Sequence, residues 1–264
     1  MDFSNYNAIE FRRDGRVLHA TFNRPDTMNA VDHILQADLD RLFLDVAEDD
    51  DTQVLVITGK GRAFSAGGNI DNMQTLIDNP HLFRKESDKG KQRIFAMLDC
   101  PKPIIAKVNG AAVGLGATIA LFSDIVFASE RAKIADPHVQ VGLSAGDGGA
   151  VIWPVLLGYA KAKHYLLTGE AISGKQAAEL GLIHAAVPLD ELDNVVDNYA
   201  QRLANGASKA IEWTKLSVNI GLKHLAQQIL DASFAYELMS QQTRDHQEAA
   251  NAFKQNRLPV FTGE

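Results

Sequence analysis

Val108-Asn109-Gly110-Ala111-Ala112-Val113-Gly114-Leu115-Gly116-Ala117 is the stretch on which the reading of this 264-residue chain turns. The apolar run Pro103-Ile104-Ile105-Ala106-Lys107 precedes it, and Thr118-Ile119-Ala120-Leu121-Phe122 follows. A strand that passes through closely spaced glycines into a helix leaves backbone N–H groups free at the turn. With the positive end of the helix dipole behind them, those donors suit a negatively charged oxygen. The spacing of Gly110, Gly114 and Gly116 is not G-x-G-x-x-G, and no Gly-Lys-Ser/Thr follows. Taken alone, the glycines fit a close-packing turn, so the reading depends on what converges there.

Working outward, a second turn of the same kind stands upstream. Val54-Leu55-Val56-Ile57-Thr58-Gly59 is a continuous apolar run, the mark of a strand buried on both faces. It leads to Ala63-Phe64-Ser65-Ala66-Gly67-Gly68-Asn69-Ile70-Asp71 and then to a helical pattern. One N–H from each turn, aimed at one point, would make an oxyanion hole.

Around these turns the spacing predicts a hairpin of 8–13 and 16–22 about Asp14-Gly15, a helix over 32–48 and a charged helix from Pro80 to 98. Strands are expected at 104–108, 125–128, 133–136 and 182–187, with an apolar helix at 151–157. Helices follow near 190–204, 208–221 and 223–255, and then an extended tail. The pattern is α/β: a layered core over 1–188 and a helical region over 189–264. Asp49-Asp50-Asp51 reads as a solvated turn, because metal loops alternate their ligands with other residues and usually carry a glycine.

A formal net charge of -7, with no basic cluster, argues against nucleic-acid partners. No apolar stretch approaches the ~20 residues of a membrane span. The opening Met1-Asp2-Phe3-Ser4-Asn5-Tyr6 lacks the basic start and apolar run of a secretory leader. The lone Cys100 cannot form an intrachain disulfide and is expected to pack at a helix–strand junction, so the expected location is cytoplasmic. No H-x-x-x-H or C-x-x-C pair suggests a metal. His19, His33, His81, His164, His184, His224 and His246 show no partner pattern, and Trp153 and Trp213 read as packing residues.

The ordered set Asn23-Arg24-Pro25, Met28-Asn29-Ala30, Ala63-Phe64-Ser65-Ala66-Gly67-Gly68, Pro101-Lys102-Pro103, Asn109-Gly110, Ser123-Asp124-Ile125, Leu167-Thr168-Gly169, Ala177-Ala178-Glu179-Leu180-Gly181-Leu182-Ile183 and Pro259-Val260-Phe261-Thr262-Gly263 resembles the crotonase, or enoyl-CoA hydratase/isomerase, superfamily over nearly the whole chain. The resemblance implies a spiral of ββα units with a C-terminal helical trimerisation region, assembling as homotrimers or dimers of trimers. It implies a fatty-acid-type acyl-CoA substrate, with coenzyme A as part of the substrate and no separate cofactor. It assigns the oxyanion hole to Gly68 and Leu115, and substrate contacts to Asp26, Thr27, Met28, Ala30, Ala66, Asn69 and Ile70. Asp26-Thr27-Met28 holds no basic residue, so phosphate contacts would fall to Arg24 or Lys254.

The places of the two hydratase glutamates are held by Thr118 and His138, and threonine cannot act as a carboxylate base. His138 is the expected replacement, since its ordinary pKa is ~6.5, with Asp147 orienting it. The alternative is that Asp147 caps the helix from Val151 and His138 only supports it. Pro137-His138, Gly146-Asp147-Gly148 and Trp153-Pro154 are also similar to β-diketone hydrolases of the 6-oxocamphor hydrolase type. Three functions follow as expectations: an enoyl-CoA hydratase/isomerase family enzyme using His138 and Asp147 with Thr118 lining the pocket, a retro-Claisen C–C hydrolase, and a non-catalytic acyl-CoA binding protein.

Overall fold

The structure, a computed structural model, describes residues 1–69 and 72–264. β1 (Ile9–Asp14) and β2 (Val17–Phe22) form the expected antiparallel hairpin, with Gly15 at φ +57° in its turn. α1 (His33–Glu48) follows, its N-cap Asp32 accepting from the N–H groups of Ile34 and Leu35 at 3.0 Å each. β3 (Val54–Gly59) and β4 (Ala63–Ser65) lead to α2 (Met73–Asp78) and α3 (Pro80–Asp99). The next unit is β5 (Ile104–Val108), β6 (Ala111–Val113) and α4 (Leu115–Leu121). A third comprises β7 (Ile125–Ser129), β8 (Lys133–Ala135), α5 (Gly149–Leu157) and α6 (Tyr159–Thr168). Then come β9 (Ile172–Ser173), α7 (Gly174–Glu179), β10 (Ala185–Val187), α8 (Leu189–Ala204), α9 (Ser208–Gln241) and α10 (Arg244–Lys254).

The strands form two sheets, ordered β1-β2-β3-β5-β7-β10 and β4-β6-β8-β9, and from β3 to β8 successive strands alternate between them. Each repeat places one strand in each sheet before its helix, which is the ββα spiral the resemblance implied. β3, β5 and β7 are parallel neighbours, with Leu55 opposite Ile104 and Ile105 opposite Ile125. Alternate side chains of a strand face opposite ways. Leu55 and Ile57 accordingly enter the main core, while Val54 and Val56 pack with Leu192, Val196 and Ala200 of α8. The all-apolar spelling of β3 is thus burial on two faces, as expected.

The C-terminal helices depart from the sequence reading. α9 runs 34 residues straight through Gly221 instead of breaking there. Buried polar contacts clamp it to the core: Lys215 Nζ reaches Asp124 at 2.7 Å and the Lys102 carbonyl at 2.9 Å, and Asn219 Nδ2 donates to the Leu98 carbonyl at 3.0 Å. The break falls at Thr243, whose hydroxyl accepts the His246 N–H at 3.2 Å and starts α10. β6 was hidden within the glycine stretch because three residues carry no readable alternation. The strand expected at 182–187 shrinks to β10, since the N–H groups of Leu182 and Ile183 turn back to Ala177.

Asp49 is also corrected: it is buried, salt-bridged to Arg13 at 2.6 Å and to the N-terminal amine at 3.0 Å, while Asp50 and Asp51 are exposed. Cys100 is buried between α3 and β5 as expected, whereas Trp213, expected to pack, is 64% exposed. Among the described residues, no helix is long and apolar enough to cross a membrane.

Candidate active site

The two glycine turns abut because β4 and β6 are parallel neighbours. A Cβ on Gly67, at φ +87°, would lie 2.4 Å from the Val113 carbonyl oxygen, and one on Gly116 would lie 2.6 Å from that of Ser65. Only glycine permits either approach. The surrounding backbone groups are spent: the Gly67 carbonyl accepts from Val31 at 2.7 Å, and the Gly114 N–H donates to Ala135 at 2.9 Å. The Gly67 N–H donates to Ser65 Oγ at 3.2 Å. The N–H groups of Gly68 and Leu115 have no acceptor among the described residues, and Leu115 opens α4, where no intrahelical partner exists. Both residues line one cavity of about 250 Å³.

His138 lies beside these donors, its Cε1 3.6 Å from where a Gly114 Cβ would sit. It begins a 3-10 turn over His138–Val141, just past β8. Its Nδ1 contacts Asp136 Oδ1 in a short hydrogen bond. Asp136, not Asp147, therefore orients the ring, which corrects the sequence reading. Nε2 faces two further carboxylates, Asp147 at 3.7 Å and Glu237 at 3.9 Å. Asp147 Oδ1 accepts from Thr118 Oγ1 at 3.1 Å, and its carboxylate also accepts the Gly149 N–H at the start of α5. Asp147 thus ties down the helix start, the alternative weighed for it, and faces the imidazole on the side away from Asp136 without orienting the ring.

Electrostatics overturn the expectation that His138 rests near its ordinary pKa as a neutral base. Burial alone would lower it, but Asp136, Asp147 and Glu237 together hold it well above 6.5, as an imidazolium. Burial raises Asp147, opposed by the His138 charge and the Thr118 and Gly149 hydrogen bonds. Burial also pushes Glu237 up to about 8, with only the His138 charge opposing. Glu237 Oε2 has no hydrogen-bond partner among the described residues. Its neutral acid is the favoured form, whereas Asp147 has two donors supporting its anion. Asp136, His138 and Asp147 offer ligand atoms within 4.8 Å of one another, a spacing compatible with a cation. Because the two aspartates face opposite nitrogens of one ring, the arrangement is better suited to moving protons.

Of the residues expected at the site, Ala66, Gly68, Asn69, Leu115, His138 and Asp147 line the cavity. Thr118 is buried behind it, on Asp147. Asp26, Thr27 and Met28 form an exposed turn with Ala30 half-buried beside it, joined to the site by the Ala66 N–H bond to the Met28 carbonyl at 3.0 Å. Arg24 is paired with Asp32 at 2.5 Å, and Lys254 is exposed, 3.4 Å from Gln74 Oε1; neither lines the cavity. Ile70 lies outside the described residues. Asp136, Glu237 and His246 were missed. Asp136 stands two positions before His138, a signal that was available, but nothing local marks Glu237 or His246.

A two-sheet ββα spiral with adjoining glycine turns, a facing cluster of acids and a histidine defines an α/β enzyme scaffold with its site at the turn ends. The chain belongs to the enoyl-CoA hydratase/isomerase family, whose sequence description, Enoyl-CoA hydratase/isomerase, matches residues 12–264. It is 33% identical to a probable enoyl-CoA hydratase of Rhodobacter capsulatus over 98% of this chain and 99% of that protein. It is 31% identical to the 1,2-epoxyphenylacetyl-CoA isomerase of Escherichia coli over 94% and 95%. The crystal structure of an enoyl-CoA hydratase/isomerase from Mycobacterium paratuberculosis is 38% identical and superposes with a TM-score of 0.88, covering 92% of this chain and 97% of that one.

Proposed function

We propose that the chain hydrates the double bond of an enoyl-CoA thioester. One observation carries this reading: two unpaired backbone donors and an acid–base cluster face the same cavity. The thioester carbonyl oxygen sits between the N–H groups of Gly68 and Leu115. Asp147 takes a proton from water while the water oxygen bonds to the β-carbon. The C=C electron pair moves to the α-carbon and onto the carbonyl oxygen, where the two N–H groups hold the charge. Glu237 gives its proton to the α-carbon, and His138, between the carboxyls, returns the proton from Asp147 to Glu237. Asp147 and Glu237 thereby supply the two carboxyls that Thr118 and His138 do not.

Two relatives named for CoA esters support the substrate class. The 26–30 turn and the 66–69 segment would hold coenzyme A, with Arg24 or Lys254 on its phosphates. Exposed Val218, Ile220 and Met239 on α9, with Leu258 and Val260 in the tail, support association into trimers. A retro-Claisen hydrolase is a second reading, favoured by the buried Asp136–His138 contact. The test is loss of the enoyl-thioester absorbance with short and aromatic enoyl-CoAs, beside cleavage of a cyclic β-diketone. Consumption of an enoyl-CoA, abolished in Asp147→Asn, supports hydration. Cleavage of the diketone alone replaces it with the hydrolase, and binding of CoA esters without turnover replaces both with a carrier role.

A further inference from the structure

His246 has no part in that reaction, is 2% exposed, and lines the same cavity. It projects from the first turn of α10, where Thr243 caps its backbone. Its Nδ1 lies 2.7 Å from the Val141 carbonyl oxygen. A carbonyl only accepts, so Nδ1 carries the proton and Nε2 a lone pair. No described residue donates to Nε2. Burial lowers the pKa of the ring, with the Val141 bond opposing, so the neutral form is the resting one. Glu86 of α3 lines the cavity as well, its pKa raised by burial against the pull of Arg93 and Lys89. Met73, Leu76, Phe83 and Phe234 give the same cavity its apolar lining, and Gln36, Asn72, Ser87 and Arg93 also line it.

An unpaired imidazole acceptor facing this lining disfavours a plain hydrocarbon chain. Such a chain would strip Nε2 of water and return no hydrogen bond. We propose that this chamber selects an acyl group bearing a hydrogen-bond donor, a hydroxyl above all, which His246 Nε2 accepts. The proposal rests on the CoA-ester reading above but not on its proton-transfer steps. His246 is then a specificity-determining residue, and its lone pair is the feature that matters.

The experiment compares short trans-2-enoyl-CoA esters with their ω-hydroxy counterparts, by kcat/KM and by the Kd of the saturated analogues. Wild-type protein is expected to favour at least one hydroxylated ester by about 10-fold or more. His246→Asn retains an N–H to offer Val141 but has no acceptor at the Nε2 position, and His246→Phe has neither. Both should reduce the preference about 10-fold. A residue that merely holds the 138–141 turn would depress both esters equally, and an unchanged ratio overturns the proposal. So does a wild-type protein without preference in kcat/KM and Kd. If neither ester is turned over but the Kd preference is present and is lost in His246→Asn, the hydration reading fails and this one stands.

Discussion

Asp136→Asn replaces a buried carboxylate by a neutral amide of nearly the same shape, at a place where shape is constrained. Asp136 is 1% exposed, with Oδ1 on His138 Nδ1 and Oδ2 so near Gly149 that a Cβ there would lie 1.9 Å away. Burial pulls the His138 pKa down, and the charge of Asp136 leads the effects that raise it. A hydrogen bond to a charged partner contributes about 1.5–3 kcal/mol. The amide oxygen can still accept from Nδ1, so the variant loses the charge behind that bond, and the His138 pKa falls. The raised folded pKa stabilises the native state fully below the ordinary value of 6.5, and that contribution is lost as pH rises through the folded value. The variant should therefore lose more stability near pH 6 than in alkaline solution.

For activity, the imidazolium that links Asp147 to Glu237 would survive only to a lower pH. The alkaline limb of the kcat/KM profile should move acidward, and kcat should fall about 100-fold. Stopped-flow or steady-state absorbance on an enoyl-CoA across pH gives both, and denaturant melts at two pH values give the stability difference. An alkaline limb that stays in place, or a loss of activity below about 3-fold, refutes Asp136 as the group that sets His138.

Glu237→Gln should act in opposite directions on activity and stability. A carboxyl raised from 4.5 to about 8 destabilises the fold as pH climbs through that interval, so the variant should melt higher at pH 8 while kcat drops at least about 10-fold; a lower melting temperature at pH 8 counts against this. Gly67→Ala forces a side chain at φ +87° and 2.4 Å from the Val113 oxygen, and is expected to cost about 3 kcal/mol or more and most of the activity. Chemical denaturation and turnover check it, and wild-type values in both would show that the turns need not abut. Asp49 is buried, which alone would raise its pKa, but Thr52, Arg13 and the terminal amine bring it down to about 2. Its contribution is present above 3.8 and fades toward pH 2, so Asp49→Asn should cost about 2 kcal/mol at neutral pH and little in acid.

What was legible in the sequence is what local spelling dictates. β3 declared its two-faced burial in a run of apolar residues, and the hairpin declared its turn in Asp14-Gly15. The glycines of both turns were visible as glycines, but their reason was not. Gly67 answers to a carbonyl on β6 and Gly116 to one on β4, so each is explained by a partner strand a ββα unit away. The helix break misplaced at Gly221 has the same origin, because Lys215 and Asn219 tie α9 to carbonyls of the 98–102 segment and override a local weakness.

The chemistry of the site follows the same division, and this bears on where the carboxyls of the proposed reaction come from. Thr118 looked like a deletion because it was judged at its own position. In the folded chain its hydroxyl supports Asp147, which comes from the loop before α5, while the second carboxyl comes from α9. Gly146 is the residue that lets α9 approach, since a Cβ there would meet the Ser233 carbonyl at 2.4 Å and Glu237 Cβ at 2.6 Å. The glycines of Gly146-Asp147-Gly148-Gly149 therefore clear space for Glu237 and Asp136 as much as they shape a turn. A carboxyl on α9 can face His138 only because that loop yields room for it. Gly146, Asp147 and Glu237 are then one unit in physical terms, and changing any one of them alone should leave the cluster without a working pair.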